Sequence, residues 1–293
     1  MAKLYIAMKH RQEDNMRKVA ISIILTGTLL AGCGISGSTN KATHVDMVGM
    51  DHSGMAEEAG STEAENIKAI FELSSDKIVP NQDTTVKIII QDKEAKPINE
   101  FDTVHEQQMH VIIVSKDLSY FNHIHPEYKG NGQFVLTTQF PTAGEFKIIA
   151  DITPTGRSNM NKSQWIAVQG KPVAQQLIEP DATLSQVVDG NLITLSIDHL
   201  KANMELKLNF NIKNAKSNQP VTDLQPYLGA VGHVVILSQD AENYLHVHPT
   251  DEGSSGPDAE FMTTFPHSGV YKIWGQFQRN GKVFTVPFVV KVP

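Results

Sequence analysis

The chain has 293 residues, 40% of them hydrophobic and 19% charged, which is the composition of an ordinary globular protein too long for one small domain. Its 25 basic and 32 acidic side chains give a net charge of −7, which argues against nucleic acid or an anionic membrane surface as a partner. The single cysteine excludes a disulfide framework and a multi-thiolate metal site. A bound metal would therefore have to use imidazole, carboxylate or thioether ligands, from a chain with twelve histidines and ten methionines.

Residues 1–32 have the pattern of a bacterial lipoprotein signal peptide. Two basic residues precede a short apolar run over 19–30, and small residues then lead to Cys33. The run is too short to cross a bilayer as a mature helix, so the pattern predicts export, cleavage and lipidation of Cys33. The protein is then anchored to the outer face of a bacterial membrane. Because two acidic residues stand upstream in a region that should be basic, we expect translation to begin at Met16.

Residues 33–64 are rich in Gly, Ser, Thr, Ala and Glu, and this composition predicts a flexible tether. The tether contains a group of thioether and imidazole side chains: Met47, Met50, His52 and Met55. Such ligands together favour Cu(I). The segment 50–55 is similar to short Met/His motifs of exported bacterial copper-handling proteins, which implies a Cu(I) site here. The alternative is a disordered tether in which the methionines are incidental.

An internal repeat covers most of the remaining chain. Matching segments are 123 residues apart, and the separation rises to 125 after an insertion of two residues in the second copy. The matched pairs are 109–115 with 232–238, 123–126 with 246–249, and 140–144 with 265–269. The repeat predicts two modules, over 65–170 and 184–293, joined by a linker over 171–183.

Each module reads as a series of short strands. Apolar residues alternate with polar ones, and no stretch after residue 65 keeps a helical period over twelve residues. The expected strands are 85–90, 110–115, 133–140, 145–152 and 164–168, then 192–197, 206–212, 233–238, 261–265, 270–277 and 282–292. This predicts an all-β fold of two tandem immunoglobulin-like β-sandwich modules after the signal peptide and disordered tether. Pro287 predicts an edge position or a bulge in the last strand.

The short strands at 70–73 and 86–90, the turn at 96–97 and the segments 117–127 and 150–154 carry a family resemblance. They are similar to the exported modules known as YtkA-like or FixH-like, and to a group of secreted bacterial proteins, some of them linked to copper or heavy-metal handling. The resemblance implies an immunoglobulin-like fold more than it implies any activity.

Two His-x-His-Pro segments carry the candidate metal chemistry. Residues i and i+2 of a strand share a face, so His123 and His125 form one clip, and His246 and His248 form another. Each clip has a histidine thirteen residues earlier, which is expected to reach it as a third imidazole: His110 in the first module and His233 in the second. Three imidazoles with an open position suit Cu(II) or Zn(II).

Proline after each clip places it at a sheet end, open to solvent or a partner. Asp151 is expected to serve the first site as a ligand or as an acceptor that orients an imidazole, and its counterpart in the second copy is Gln276. His105 flanks only the first site, and His267 only the second. The alternative is that these histidines cap strand ends without any metal.

These patterns predict a membrane-anchored extracytoplasmic metal-binding protein, a copper carrier, buffer or sensor, with an unidentified metal-transfer partner. A structural or protein-binding immunoglobulin-like lipoprotein without metal is the main alternative. A metal-dependent enzyme of superoxide dismutase or cupin type is disfavoured: the single cysteine cannot form the disulfide of the dismutase pattern, and Asp117 and Asp240 stand where cupins have glycine. We therefore expect no catalytic activity.

Overall fold

A computed structural model describes residues 66–171 and 173–293, which lie in one compact unit. The predicted signal peptide, Cys33 and the Met/His tether lie outside the described residues. The secondary-structure elements in the described part of the chain are all β-strands, so the all-β prediction is confirmed. No helix among the described residues is long and apolar enough to cross a membrane.

The first module is a sandwich of two antiparallel sheets, with strand orders β1-β2-β6-β5 and β4-β3-β7-β8. Its strands are β1 (Ile67–Leu73), β2 (Thr84–Asp92), β3 (Met109–Ser115), β4 (Phe121–Ile124), β5 (Glu127–Gly130), β6 (Gln133–Thr138), β7 (Gly144–Ile152) and β8 (Met160–Val168). The short edge strand β5 was absent from the sequence prediction, because it has four residues, of which three pair with β6, and they show no long alternating pattern.

The second module repeats this plan, with strand orders β14-β11-β10-β9 and β13-β12-β15-β16. Its strands are β9 (Ser185–Val188), β10 (Asn191–Ile197), β11 (Glu205–Asn214), β12 (His233–Ser238), β13 (Tyr244–Val247), β14 (Asp258–Thr264), β15 (Gly269–Arg279) and β16 (Lys282–Val292). Pro287 lies in β16 at the edge of its sheet, as predicted, where a strand tolerates a residue without a backbone N–H.

The two modules pack against each other through one sheet from each. Strand β2 alternates buried and half-buried residues, as a strand with one covered face should, whereas β3 and β12 are buried at every position. One face of β3 meets the core of its own module, and the other meets the second module. The core between the modules consists of Ile112, Val114, Leu118, Ile149, Val235, Leu237, Ala241 and Trp274.

The contacts between the modules are reciprocal. Lys147 of β7 donates to the carbonyl oxygen of Ala241 at 2.7 Å, and its counterpart Lys272 of β15 donates to that of Leu118 at 2.8 Å. Residues at matching positions of the repeat thus contact each other's partners, as in an interface with two-fold symmetry. The repeat has therefore folded into a pseudo-symmetric pair of modules rather than two separate domains.

Candidate metal centre

Strand register brings the predicted histidines to the face between the modules. His110 and Ile112 lie two residues apart in β3, so they share a face, and His123 of β4 pairs with Ile112. Asp151 of β7 pairs with His110 on the other side. Because Ile112 packs in the core between the modules, this register also directs the histidines toward the second module.

The first module's three predicted ligands lie together. His110, His123 and His125 each offer a ring nitrogen, and these three atoms lie within 4.8 Å of one another. The distance between His110 Nδ1 and His123 Nε2 is 3.0 Å, and the Nε2 atom of His125 is buried without a hydrogen-bond partner. His125 lies just past the end of β4, so only the first histidine of the clip is in the strand. We call these three residues the first histidine group.

The second histidine group differs from the sequence prediction in one member. The second group consists of His233, His246 and His105, and one ring nitrogen from each lies within 4.8 Å of the others. His105 comes from the first module and takes the place predicted for His248. His248 instead shares a hydrogen bond with His105, with 2.7 Å between its Nδ1 and Nε2 of His105. Both ring nitrogens of His233 and Nε2 of His246 are buried without a hydrogen-bond partner. The expectation that His105 flanks only the first site was therefore wrong.

The groups that orient these imidazoles are exchanged between the modules. Asp151 was expected beside the first site, but its Oδ2 accepts a 2.7 Å hydrogen bond from Nδ1 of His246 in the second module. The hydroxyl of Tyr244 donates to the same oxygen at 2.9 Å. Gln276, the counterpart of Asp151, lies with its Oε1 2.7 Å from Nδ1 of His123 in the first module. A carboxylate behind an imidazole fixes its orientation and raises its basicity toward a metal.

Most of these histidines are more deeply buried than we expected for side chains at the end of a sheet. His110 is 3%, His123 9% and His233 1% exposed, because the opposite module covers them. The expectation of two clips open to solvent was therefore wrong except at His248, which is exposed, because the sequence of one module does not show what packs against it. His199 and His267 are exposed and lie outside both groups.

Burial keeps most of these imidazoles neutral. It lowers the pKa of His110 and of His125 to about 4 and that of His123 to about 3. Burial, followed by repulsion from neighbouring histidines, lowers the pKa of His105 to about 4 and that of His233 further. At neutral pH these rings therefore carry lone pairs, which is the form that binds a metal.

Asp151 behaves differently from an isolated buried acid. Burial acts to raise the pKa of its carboxyl group, but hydrogen bonds from His246, Asn159 and Tyr244 together lower it. The carboxylate thus stays charged in the interior, beside the histidines. Of the eleven predicted metal ligands, the structure brings the six module histidines and Asp151 into one cluster, and the four tether residues lie outside the described part.

The donor set fits a transition-metal ion. Neutral imidazoles with unpartnered ring nitrogens, one of them backed by a carboxylate, are ligands that Cu(II) and Zn(II) accept. Sequence analysis missed His105 as a member of the second group, and it missed Gln276 as a partner of His123. The equivalence of Gln276 with Asp151 was visible in the repeat, but its contact with the other module was not.

Fold and cluster together define a protein of two immunoglobulin-like sandwich modules with histidines buried between them. A family described as a domain of unknown function (DUF8832) matches residues 63–169 and again residues 186–293. The chain belongs to this family and carries two copies of its domain. No curated protein matches the chain.

Solved structures with similar folds are immunoglobulin-like or fibronectin-type domains. They include the Escherichia coli adhesin FdeC, with 16% identity over 77% of this chain and 64% of that one, and a TM-score of 0.26. The Yersinia pseudotuberculosis adhesin InvE has 10% identity, coverage of 76% and 60%, and a TM-score of 0.24. Two fibronectin type III domains of chicken tenascin have 11% identity, coverage of 76% and 97%, and a TM-score of 0.21. The chain thus spans less than two thirds of FdeC, and these likenesses concern the fold alone.

Proposed function

We propose that this protein is an extracytoplasmic, lipid-anchored metal-binding protein that holds transition-metal ions on the buried histidines between its modules. Cu(II) and Zn(II) are the ions that the imidazole set suits. The YtkA-like and FixH-like resemblance and the Met/His tether favour copper, with the tether passing Cu(I) to or from an unidentified partner protein. The lipid on Cys33 would keep this exchange at the membrane surface.

The observation that carries the proposal is the proton arrangement of the first histidine group. His110 Nε2 lies 2.9 Å from the carbonyl oxygen of Val104, which accepts only, so a neutral His110 keeps a lone pair on Nδ1. Gln276 donates its amide to Thr285 at 3.2 Å, so its Oε1 accepts from Nδ1 of His123. The lone pair of His123 is then on Nε2, 3.0 Å from that of His110.

Two lone pairs at this separation repel each other unless a cation lies between or beside them. With bonds of about 2.0–2.1 Å to one ion, two imidazole nitrogens stand at close to this distance from each other. Both outer N–H groups are already held by carbonyl oxygens, which is the usual arrangement around metal-bound histidine. The unpartnered Nε2 of His125 supplies a third donor on the same side.

Metal analysis of the purified full chain tests this proposal. After incubation with Cu(II) or Zn(II) at neutral pH and gel filtration, we expect the wild-type protein to retain metal and the His125→Ala/His233→Ala variant to lose most of it. The His199→Ala/His267→Ala variant is the matched control and should retain as much as the wild type, because these exposed side chains lie outside both groups. Equal retention by all three proteins, or none by the wild type, would contradict the proposal.

The second candidate is a protein-binding or structural lipoprotein in which the histidines fasten the modules together. It is favoured by the polar contacts that cross the interface through His123 and His246, which hold the modules without any ion. The adhesin neighbours share only the fold with this chain. If this second candidate is correct, the wild type retains no metal, while His123→Ala and His246→Ala still destabilise the packing of the two modules against each other.

A further inference from the structure

The two histidine groups touch each other across the module interface. The ring centroids of His110 and His246 are 5.2 Å apart, those of His123 and His233 are 5.8 Å apart, and those of His110 and His233 are 5.9 Å apart. Rings at these distances are in contact, so the six imidazoles form one continuous cluster. An ion in either group would have the ligands of the other group as its direct neighbours.

His105 reaches the second group from a constrained turn of the first module. Val104 and Gln107 exchange backbone hydrogen bonds across His105 and Glu106, whose φ angles are 48° and 64°. Residues other than glycine rarely adopt these left-handed angles, and such strain persists only where surrounding contacts hold it. The turn brings the His105 ring to 4.5 Å from that of His233, measured between centroids.

The second module has the same turn without the histidine. Tyr227 and Ala230 exchange the equivalent backbone hydrogen bonds, and the two turn residues are Leu228 and Gly229, with φ angles of 53° and 77°. Leu228 occupies the position of His105. The second group is thus built from both modules, whereas the first group takes all three of its histidines from one.

We propose that the two groups form one paired metal centre, which binds two imidazole-coordinated transition-metal ions side by side, the second position being completed by His105 across the module interface. This rests on the proposed function and adds the geometry of the site. Each position depends on both modules, because Gln276 orients His123 and Asp151 orients His246. Binding of the ions therefore favours the docked arrangement of the modules, by linkage between ligand binding and structure.

The two positions differ in charge compensation. Within the described residues, the carboxylate that is hydrogen-bonded to a histidine of either group is that of Asp151, and its partner is His246 of the second group. A buried cation beside a carboxylate is better compensated than one held by neutral imidazoles alone. The ion in the second group is therefore expected to bind first and more tightly. The sequence alone would favour the opposite order, because it predicts that Asp151 serves the first group.

Titration of Cu(II) chloride into the purified full chain, followed by electron paramagnetic resonance and metal analysis, tests the pairing. We expect two retained ions per chain. The first equivalent should give the signal of an isolated Cu(II) ion, and the second should reduce or broaden the signal per copper, because neighbouring spins couple. Filling the second equivalent with Zn(II) should restore the isolated signal.

Two variants locate the positions. His105→Leu places in the turn the residue that the second module has there, so the fold should survive, and we expect it to retain one ion with an isolated signal. His125→Ala should likewise retain one, and His199→Ala should match the wild type. Two ions whose signals simply add, or two coupled ions in His105→Leu, would overturn the paired centre and leave metal binding intact. Retention of no metal by the wild type would overturn both proposals.

Discussion

Acid should destabilise the metal-free protein, because the histidines buried at the module interface are neutral in the folded chain. The pKa of His123 is lowered to about 3 and that of His110 to about 4, against about 6.5 in an unfolded chain. As pH falls below 6.5, these two histidines bind protons in the unfolded chain but remain neutral in the folded chain. The stability that these neutral histidines contribute is therefore present above pH 6.5, and it is lost progressively as pH falls toward their pKa values in the folded chain.

The size of the effect follows from proton linkage. Between about pH 6 and pH 5, each histidine that ionises only in the unfolded chain lowers the free energy of unfolding by about 1.2 kcal/mol. His110 and His123 together then contribute about 2.4 kcal/mol over this unit. His123→Gln removes one of these groups, so its loss of stability over the same unit should be smaller by about 1.2 kcal/mol.

Urea unfolding in the presence of a chelator measures this difference. The chain has two tryptophans, Trp165 and Trp274, and both pack at the core between the modules, so their fluorescence reports separation of the modules. His267→Gln, at an exposed position, is the control and should follow the wild type. If His123→Gln lost as much stability as the wild type between pH 6 and pH 5, the buried neutral histidine would not be the cause.

Other expected outcomes concern packing, metal retention and the N-terminal region. Gly232→Ala should destabilise the protein by about 1–3 kcal/mol in urea unfolding, because its Cβ would lie 2.6 Å from a backbone oxygen of β15; a neutral result would refute this crowding. Lys147→Met should also destabilise it, since the carbonyl oxygen of Ala241 loses its buried donor; unchanged stability would contradict this. Metal retention should fall toward about pH 4 rather than 6.5, because the folded histidines resist protonation, and a midpoint near 6.5 in a pH series would show otherwise. Cys33→Ser should abolish labelling by a radioactive fatty acid, and continued labelling would exclude the predicted anchor. A peptide of residues 44–55 should compete for Cu(I) better than its version with leucine for methionine, and equal competition would make the thioethers incidental.

Much of the fold could be predicted because it depends on local pattern. The alternation in β2 and β11 is the direct consequence of a two-residue side-chain period with one face buried. The repeat likewise implied that both modules share one fold. The edge strands β5 and β9 escaped prediction because they have four residues each, too few to show a period.

Residue patterns and spacing along the chain were enough to predict the module fold, the pairing of histidines and the equivalence of Asp151 with Gln276. Docking of the modules through their histidine-bearing sheets became visible only in the folded chain. This docking brings the carboxylate of Asp151 to His246 and the imidazole of His105 to His233. Spacing along a chain fixes which side chains share a face of one strand. It carries no information about which face of another module will cover them, because that choice depends on the complementary packing of residues far apart in sequence.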